Sequence, residues 1–387
     1  MKDLDVVIIG AGLAGLQCAK LLGRGGAKVL LVDRKADLSI GVHTTGIFVR
    51  KTLEDFSFPH GTLGKPIKDV TLYSPRLKPL LLESEKEEFR IGKMQVLYKA
   101  FLAECTQNGV EFSGGTRYIG AVSDNGETII TLERNSQRFE IAARVLVGAD
   151  GVDSAVARSL GLDLNKEWIV GVENVYRKNG GDREPRLHCF LDTRLAPGYL
   201  AWVAEDGEEL HVGVGGYSAD FKPREALREF TRSAAAEVLN FDGAELIETR
   251  GGRIPVGGVL RRIACVNGIL IGDAAGAVSP LTAGGLDPCL RLSALAANVI
   301  SERLATGDPR ILLKFSGDLF RSRFVSRLWM RRIISTIRSQ TLLEAACYFL
   351  RSRIGSRLAK HIFFGRGSFP DVAIEGRPAR CSAKART

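Results

Sequence analysis

Cysteine pairs, histidine and long apolar runs are what this chain has least of. Its seven cysteines are dispersed (Cys18, Cys105, Cys189, Cys265, Cys289, Cys347, Cys381), with no CxxC pair and only five histidines among 387 residues. That spacing excludes a disulfide framework and a cysteine/histidine zinc site, so no metal is expected. An odd number of scattered thiols suits a reducing compartment. No stretch reaches the ~18 to 20 uncharged apolar residues that cross a bilayer. Met1-Lys-Asp-Leu-Asp5 leads straight into a short apolar run and glycines, without the pattern of a secretory leader, so the expected location is cytoplasmic. Acidic residues are scarce only locally. Residues 314–387 hold 16 Lys+Arg against 4 Asp+Glu, and the remaining chain carries a net charge of −2. Basicity confined to one end argues against a protein-wide nucleic-acid surface, and no nucleic-acid partner is expected.

What is present is glycine at junctions. The composition, 45% hydrophobic and 25% charged, is that of a globular protein long enough for two domains or one with a large insertion. Asp5-Val-Val-Ile-Ile-Gly10 reads as a buried parallel strand. Gly10, Gly12 and Gly15 form GxGxxG, Leu16 to Leu22 continue as a helix, and Ala27 to Asp33 form a second strand ending in a carboxylate. Gly10 allows the tight turn, Gly12 lets the backbone approach a pyrophosphate, and Gly15 lets the helix pack on the strand. The helix start, Leu13 and Ala14 included, faces the phosphates, and Asp33 with the adjacent Arg34 is placed toward a ribose. Strand, glycines, helix, strand and acid in this order indicate a dinucleotide site, though not which dinucleotide.

Two further junctions follow: Val145-Leu-Val-Gly-Ala-Asp150-Gly151-Val-Asp-Ser154 and Gly268-Ile-Leu-Ile-Gly272-Asp273, the latter continuing through Pro280, Thr282, Gly284, Gly285 and Leu286 into an Ala/Leu-rich helix. With the first, they resemble the flavoprotein superfamily of aromatic hydroxylases and geranylgeranyl reductases. The resemblance spans roughly residues 4 to 371 and implies FAD as cofactor. It implies that the Asp150-Gly151 segment lies beside the FAD, that Gly272 and Asp273 bring a carboxylate to the ribityl chain or ribose, and that Pro280, Thr282, Gly284, Gly285 and Leu286 line the flavin ring. A second helix start near Gly284-Gly285 would stabilise negative charge on the reduced ring.

Several phrases resemble the geranylgeranyl reductase branch: Ser154-Ala-Val-Ala-Arg158, Pro197-Gly-Tyr199-Leu-Ala-Trp202-Val, Gly252-Arg-Ile-Pro-Val-Gly-Gly258, and Phe364-Gly-Arg-Gly-Ser-Phe-Pro-Asp371. The second departs from the reductase pattern, with an extra residue between Tyr199 and Trp202 and Ala204-Glu205 in place of Phe-Pro. Where many reductases carry Cys-Gly, this loop reads Gly41-Val-His43-Thr44-Thr45-Gly46. His43 is a candidate proton donor, or a solvent-facing loop residue. Thr44, Thr45 and Gly46 are expected at the flavin edge, and Lys93, at a helix start, at the cofactor.

The expected fold is α/β: a discontinuous Rossmann-like FAD-binding domain (1–63, 92–164, 261–310), an inserted antiparallel-sheet substrate domain (64–91, 165–260) and a basic helical C-terminal region (311–387). Tyr199 and Trp202 are the expected substrate-facing aromatics. Phe320, Phe324, Leu328, Ile334 and Ile337, then Phe349, Leu350, Ile354, Leu358 and Ile362, recur at helical spacing among arginines. Such helices lie on an anionic membrane surface or pack on the body. The resemblance implies reduction of C=C bonds in an isoprenoid or other hydrophobic substrate by hydride from flavin N5, with electrons from NAD(P)H or ferredoxin. The alternative is an FAD-dependent monooxygenase hydroxylating an aromatic or polyketide-like compound with NAD(P)H and O2.

Overall fold

The computed structural model describes residues 3–124, 127–177, 184–217, 221–239, 241 and 243–365. Strands Asp3–Ile9, Val29–Asp33, Glu111–Gly114, Gln137–Gly148 and Gly268–Leu270 form its parallel sheet, with Asp3–Ile9 between Val29–Asp33 and Gln137–Gly148. Val6, Val7, Ile8, Leu31, Val32, Val145, Leu146 and Val147 are fully buried there. Continuous β-branched runs suit strands covered on both faces. Helices Leu13–Arg24 and Leu286–Thr306 pack on each other over this sheet. A β-ribbon, Thr116–Asp124 with Glu127–Arg134, extends antiparallel from strand Gln137–Gly148.

A second, seven-stranded sheet is built from Asp69–Tyr73, Pro79–Leu82, Trp168–Arg177, Arg186–Phe190, Ala201–Glu205, Glu209–Gly216 and Glu245–Pro255. All its pairings are antiparallel except Asp69–Tyr73 with Arg186–Phe190. Because side chains alternate across a strand, the sheet has two characters. One face carries Val172, Phe190, Val203, Val212 and Val214 and is closed by Leu227 and Phe230 of helix Pro223–Arg232. The other carries Gly171, Gly213, Gly215 and Gly252 at aligned positions. This face turns toward the parallel-sheet domain. A small sheet of Ile47–Val49, Leu63–Ile67 and Phe89–Gly92 lies between them in sequence.

Helices Asp318–Arg321, Val325–Thr336, Gln340–Leu350 and Arg353–Phe364 complete the described chain. The two apolar sets of the tail separate. Phe320 and Phe324 are buried, whereas Phe349, Ile354 and Leu358 are 52, 72 and 44% exposed. Helix Val325–Thr336 rests Leu328 beside Gly258 and Pro280 and Ser335 beside Gly198. Residues 366–371 of the last reductase-like phrase lie outside the described residues.

Candidate active site

The three glycine junctions meet. A side chain at Gly10 (φ 102°) would collide with the Ala149 carbonyl, and one at Gly15 with the Gly10 carbonyl, so first helix, first strand and second junction are in backbone contact. A Cβ at Gly272 would sit 2.8 Å from the Ala14 Cβ, and one at Gly285 3.7 Å from Asp273 Oδ1. The third junction thus lies against the first, and Asp273 lies against the start of helix Leu286–Thr306.

The pocket edge formed by these turns fits a long anionic cofactor. Helix Leu13–Arg24 starts without a capping side chain or first-turn acid, and a Cβ at Gly12 would meet nothing within 4 Å. The Leu13 amide bonds the Tyr98 hydroxyl; the remaining first-turn amides, with no capping side chain, make a ready phosphate site. Asp33 orders the turn: Oδ2 accepts the Ala11 amide at 2.7 Å and Oδ1 the Lys35 amide at 2.8 Å. Arg34 is exposed beside it. The Asp150 carboxylate is spent locally, accepting the Ser154 hydroxyl (2.6 Å) and the amides of Ala155 (2.7 Å) and Val156 (3.1 Å). That turn therefore presents backbone, and a Cβ at Gly151 (φ 86°) would meet nothing within 4 Å. The Asp273 carboxylate has no hydrogen-bond donor among the described residues, and burial pushes its pKa up to about 6. A half-buried acid lacking a donor suits a ligand rich in hydroxyls. In the following turn Ala283 is left-handed (φ 51°), a strain that non-glycine residues keep where local structure imposes it.

The loop Gly41–Gly46 and the glycine face of the second sheet close the site. Thr44 Oγ1 accepts the Gly46 amide at 3.2 Å. Thr45 donates to Glu173 Oε2 at 2.5 Å. His43 is exposed; partial burial, then Lys35 and Arg34, lower its pKa. Lys93 is engaged by Glu208 at 2.7 Å. The Trp202 indole lies so flat on Gly213 that a side chain there would overlap it, and the Tyr199 ring covers Gly215 in the same way, 2.6 Å from a Cβ. Tyr199 donates its hydroxyl to the Thr282 carbonyl at 2.7 Å, fastening this face to the third junction. Pro280 is buried, Leu286 is half-buried and Gly284 is exposed. From helix Val325–Thr336, Arg331 lies over the rings of Tyr199 (5.5 Å) and Tyr217 (5.1 Å), and Arg327 donates to Ser279 Oγ at 3.0 Å.

Sequence reading missed the charged centre of this face. Glu173, 3% exposed, accepts from Thr45, from Trp202 Nε1 (2.8 Å) and from Arg250 Nε (2.8 Å), with His211 Nδ1 at 3.4 Å. Burial opposes its charge, but the His211 and Arg250 contacts outweigh that and hold its pKa at about 2. The available signal was a lone acid in the valine-rich strand Trp168–Arg177, where a charge needs a buried partner.

Similarity to known proteins agrees with this geometry. The family model "FAD binding domain" matches residues 3–319. A digeranylgeranylglycerophospholipid reductase of Methanothermobacter thermautotrophicus is 30% identical over 324 residues, covering 80% of this chain and 79% of the relative. Another, from Methanopyrus kandleri, is 26% identical over 358 residues, 90% of this chain and 94% of that one. A geranylgeranyl bacteriochlorophyll reductase-like protein of Thermoplasma acidophilum superposes with a TM-score of 0.82 at 20% identity, covering 95 and 98% of the two chains. A p-nitrophenol 4-monooxygenase of Pseudomonas putida shares the fold at TM-score 0.66 and 16% identity, covering 95% of this chain and 100% of that one. The chain belongs to the FAD-binding-domain flavoproteins, and within them it is an FAD-dependent oxidoreductase of the geranylgeranyl reductase family.

Proposed function

We propose that this protein saturates C=C bonds of an isoprenoid lipid. The observation that carries the reading is the Tyr199–Thr282 bond, which closes a glycine-floored, aromatic-lined face over the cofactor junctions. The reductase names of relatives that match most of the chain support it. Gly12, Leu13, Ala14 and Gly15 hold the FAD diphosphate with backbone amides, and Gly10 and Asp33 shape that turn, with Arg34 outside the ribose. Asp273 accepts ribityl hydroxyls. Thr44, Thr45 and Gly46 lie at the flavin edge, and Pro280, Thr282, Gly284, Gly285 and Leu286 border the ring. Asp150 and Gly151 contribute backbone to the same pocket, and Lys93 stands at its rim. When bound and reduced, FAD supplies the hydride. Tyr199 and Trp202 keep the alkene flat and exclude water. His43, neutral at pH 7, passes a solvent proton to the second carbon rather than storing one. Electrons come from NAD(P)H or ferredoxin.

Entry of such a substrate from a membrane surface follows from helix Val325–Thr336. Val325, Trp329 and Ile333 form one exposed stripe (49, 61 and 61%), bordered by exposed Arg323 and Arg332. The opposite side of the helix meets Tyr199. No helix among the described residues is long and apolar enough to cross a membrane; the exposed stripe and its arginines would make the contact.

Anaerobic incubation of reduced holoenzyme with a geranylgeranyl lipid tests the activity. Oxidation of the flavin with a gain of two hydrogens per bond is expected; product that forms only with O2 overturns the reading.

A further inference from the structure

The turn between strands Ala201–Glu205 and Glu209–Gly216 gathers carboxylates that the flavin site does not use. Asp206 is buried; its Oδ1 accepts the amides of Glu208 (2.9 Å) and Glu209 (2.7 Å), which leaves Oδ2 pointing elsewhere. His211, 2% exposed, aims Nε2 at the same place, 4.0 Å from Asp206 Oδ2 and 3.7 Å from Glu209 Oε2. Those distances are too long for hydrogen bonds, and Nε2 is closed to water and has no partner among the described residues. A donor atom from each of the three residues lies within 4.8 Å of the other two. Nearby cations are committed: Lys93 to Glu208 and Arg250 to Glu173. Among the described residues no Lys or Arg nitrogen pairs with Asp206 or Glu209.

Donor atoms at these separations surround a point about 2.5 Å from each, a hole too small for water and a few tenths of an ångström wider than a zinc–ligand sphere. One imidazole and two carboxylates suit a first-row divalent ion better than Ca2+ or Mg2+. The other ring nitrogen, Nδ1, has Glu173 Oε1 at 3.4 Å, the carboxylate–histidine arrangement that orients a metal ligand. Arg250 Nη2 also lies 2.9 Å from Nδ1. Arg250 Nη2 can only donate, so an ion on Nε2, which puts the ring proton on Nδ1 toward Glu173, displaces that nitrogen from the ring while Arg250 Nε keeps its 2.8 Å bond to the carboxylate.

We propose that Asp206, Glu209 and His211 bind one divalent transition-metal ion, with water completing its coordination. The ion pins the turn, and through His211 and Glu173 it stiffens the support of Thr45 and Trp202. This site stands apart from the flavin reading and survives or fails without it.

The test titrates Zn2+ calorimetrically into FAD-loaded protein stripped with chelator, alongside H211Q and E209Q. Free cysteines also hold zinc, so the result is read as a difference. The wild type takes up one equivalent more than H211Q, and E209Q binds that equivalent at least tenfold more weakly. Mn2+, which thiolates hold poorly, shows the same difference by electron paramagnetic resonance. Glu209 is half-buried at the turn, so E209Q tests the site with the less disruptive substitution. Equal stoichiometry and affinity in the wild type and E209Q, each with an unaltered flavin spectrum, overturns the proposal.

Discussion

The Thr45 hydroxyl and the Glu173 carboxylate meet at 2.5 Å across 128 residues of sequence. The contact joins the loop expected at the flavin edge to the middle of the substrate sheet. The same carboxylate holds the Trp202 indole nitrogen, so one buried charge sets the positions of Thr45 and Trp202, the proposed cofactor and substrate contacts, together.

Replacing Glu173 tests that coupling. E173Q keeps the shape but strands the buried Arg250 guanidinium, and uncompensated buried charges cost roughly 3 to 5 kcal/mol. The midpoint of thermal unfolding falls by about 4 to 6 °C in a chain of this size if the full cost is realised, and by less if Glu248, 3.8 Å from Arg250, takes over. T45V removes one bond to a charged acceptor, about 1.5 to 3 kcal/mol. The double variant is less destabilised than the sum of the two, since both remove the same bond; strict additivity would show that Thr45 and Glu173 act separately.

Asp273 makes FAD affinity pH-dependent. Its carboxyl is raised to about 6 by burial, and a hydroxyl of the cofactor donates far more strongly to the ionised form. Affinity is therefore full above pH 6 and declines as pH falls through it, toward tenfold per unit where the proton must leave on binding. D273N removes this slope and binds more weakly at pH 8. Fluorescence titration of apoprotein between pH 5 and 8 measures both; a parallel slope in D273N would place the titrating group elsewhere.

The glycine floor is open to a single added methyl. In G213A the new Cβ occupies the place of the Trp202 ring, which must tilt into the chamber. FAD binding and its spectrum persist, while turnover of a long isoprenoid drops by about an order of magnitude, with KM rising for the bulkiest substrates. Steady-state kinetics over a series of chain lengths reads this. Unchanged kinetics would show that the substrate does not pass over Trp202.

The proposed membrane contact is separable from chemistry by substitution. In W329S/I333S the exposed stripe of helix Val325–Thr336 becomes polar while Leu328 and Arg331 keep their inward contacts. Sedimentation with anionic vesicles decreases several-fold, and turnover of detergent-dispersed substrate stays within twofold of wild type. Loss of a fully buried aromatic or aliphatic anchor costs ~1.5 to 3 kcal/mol, enough to resolve by sedimentation. Identical sedimentation would remove this helix from the membrane reading.

The sequence by itself determined the parts whose physics is local. Gly10, Gly12 and Gly15 are demanded by one tight turn, and Val6 to Ile8 and Val145 to Val147 announce strands buried on both faces. The order of three strand-to-helix junctions marked the flavin architecture before any contact was visible. Alternation along 168–177 and 209–216 showed strands but not what covers each face, because helix Pro223–Arg232 covers the valine side and Trp202 and Tyr199, from another strand and its approach, cover Gly213 and Gly215. Only the tertiary structure decided what the charged groups do. It turned Asp150 onto its own helix, gave Lys93 to Glu208, left Asp273 without a donor, and brought Thr45, Glu173, His211, Trp202 and Arg250 from five separate segments into one buried group. The physical reason is range. Backbone geometry is settled within a few residues of chain, whereas a buried charge is settled by whichever opposite charge the packing brings within about 3 Å.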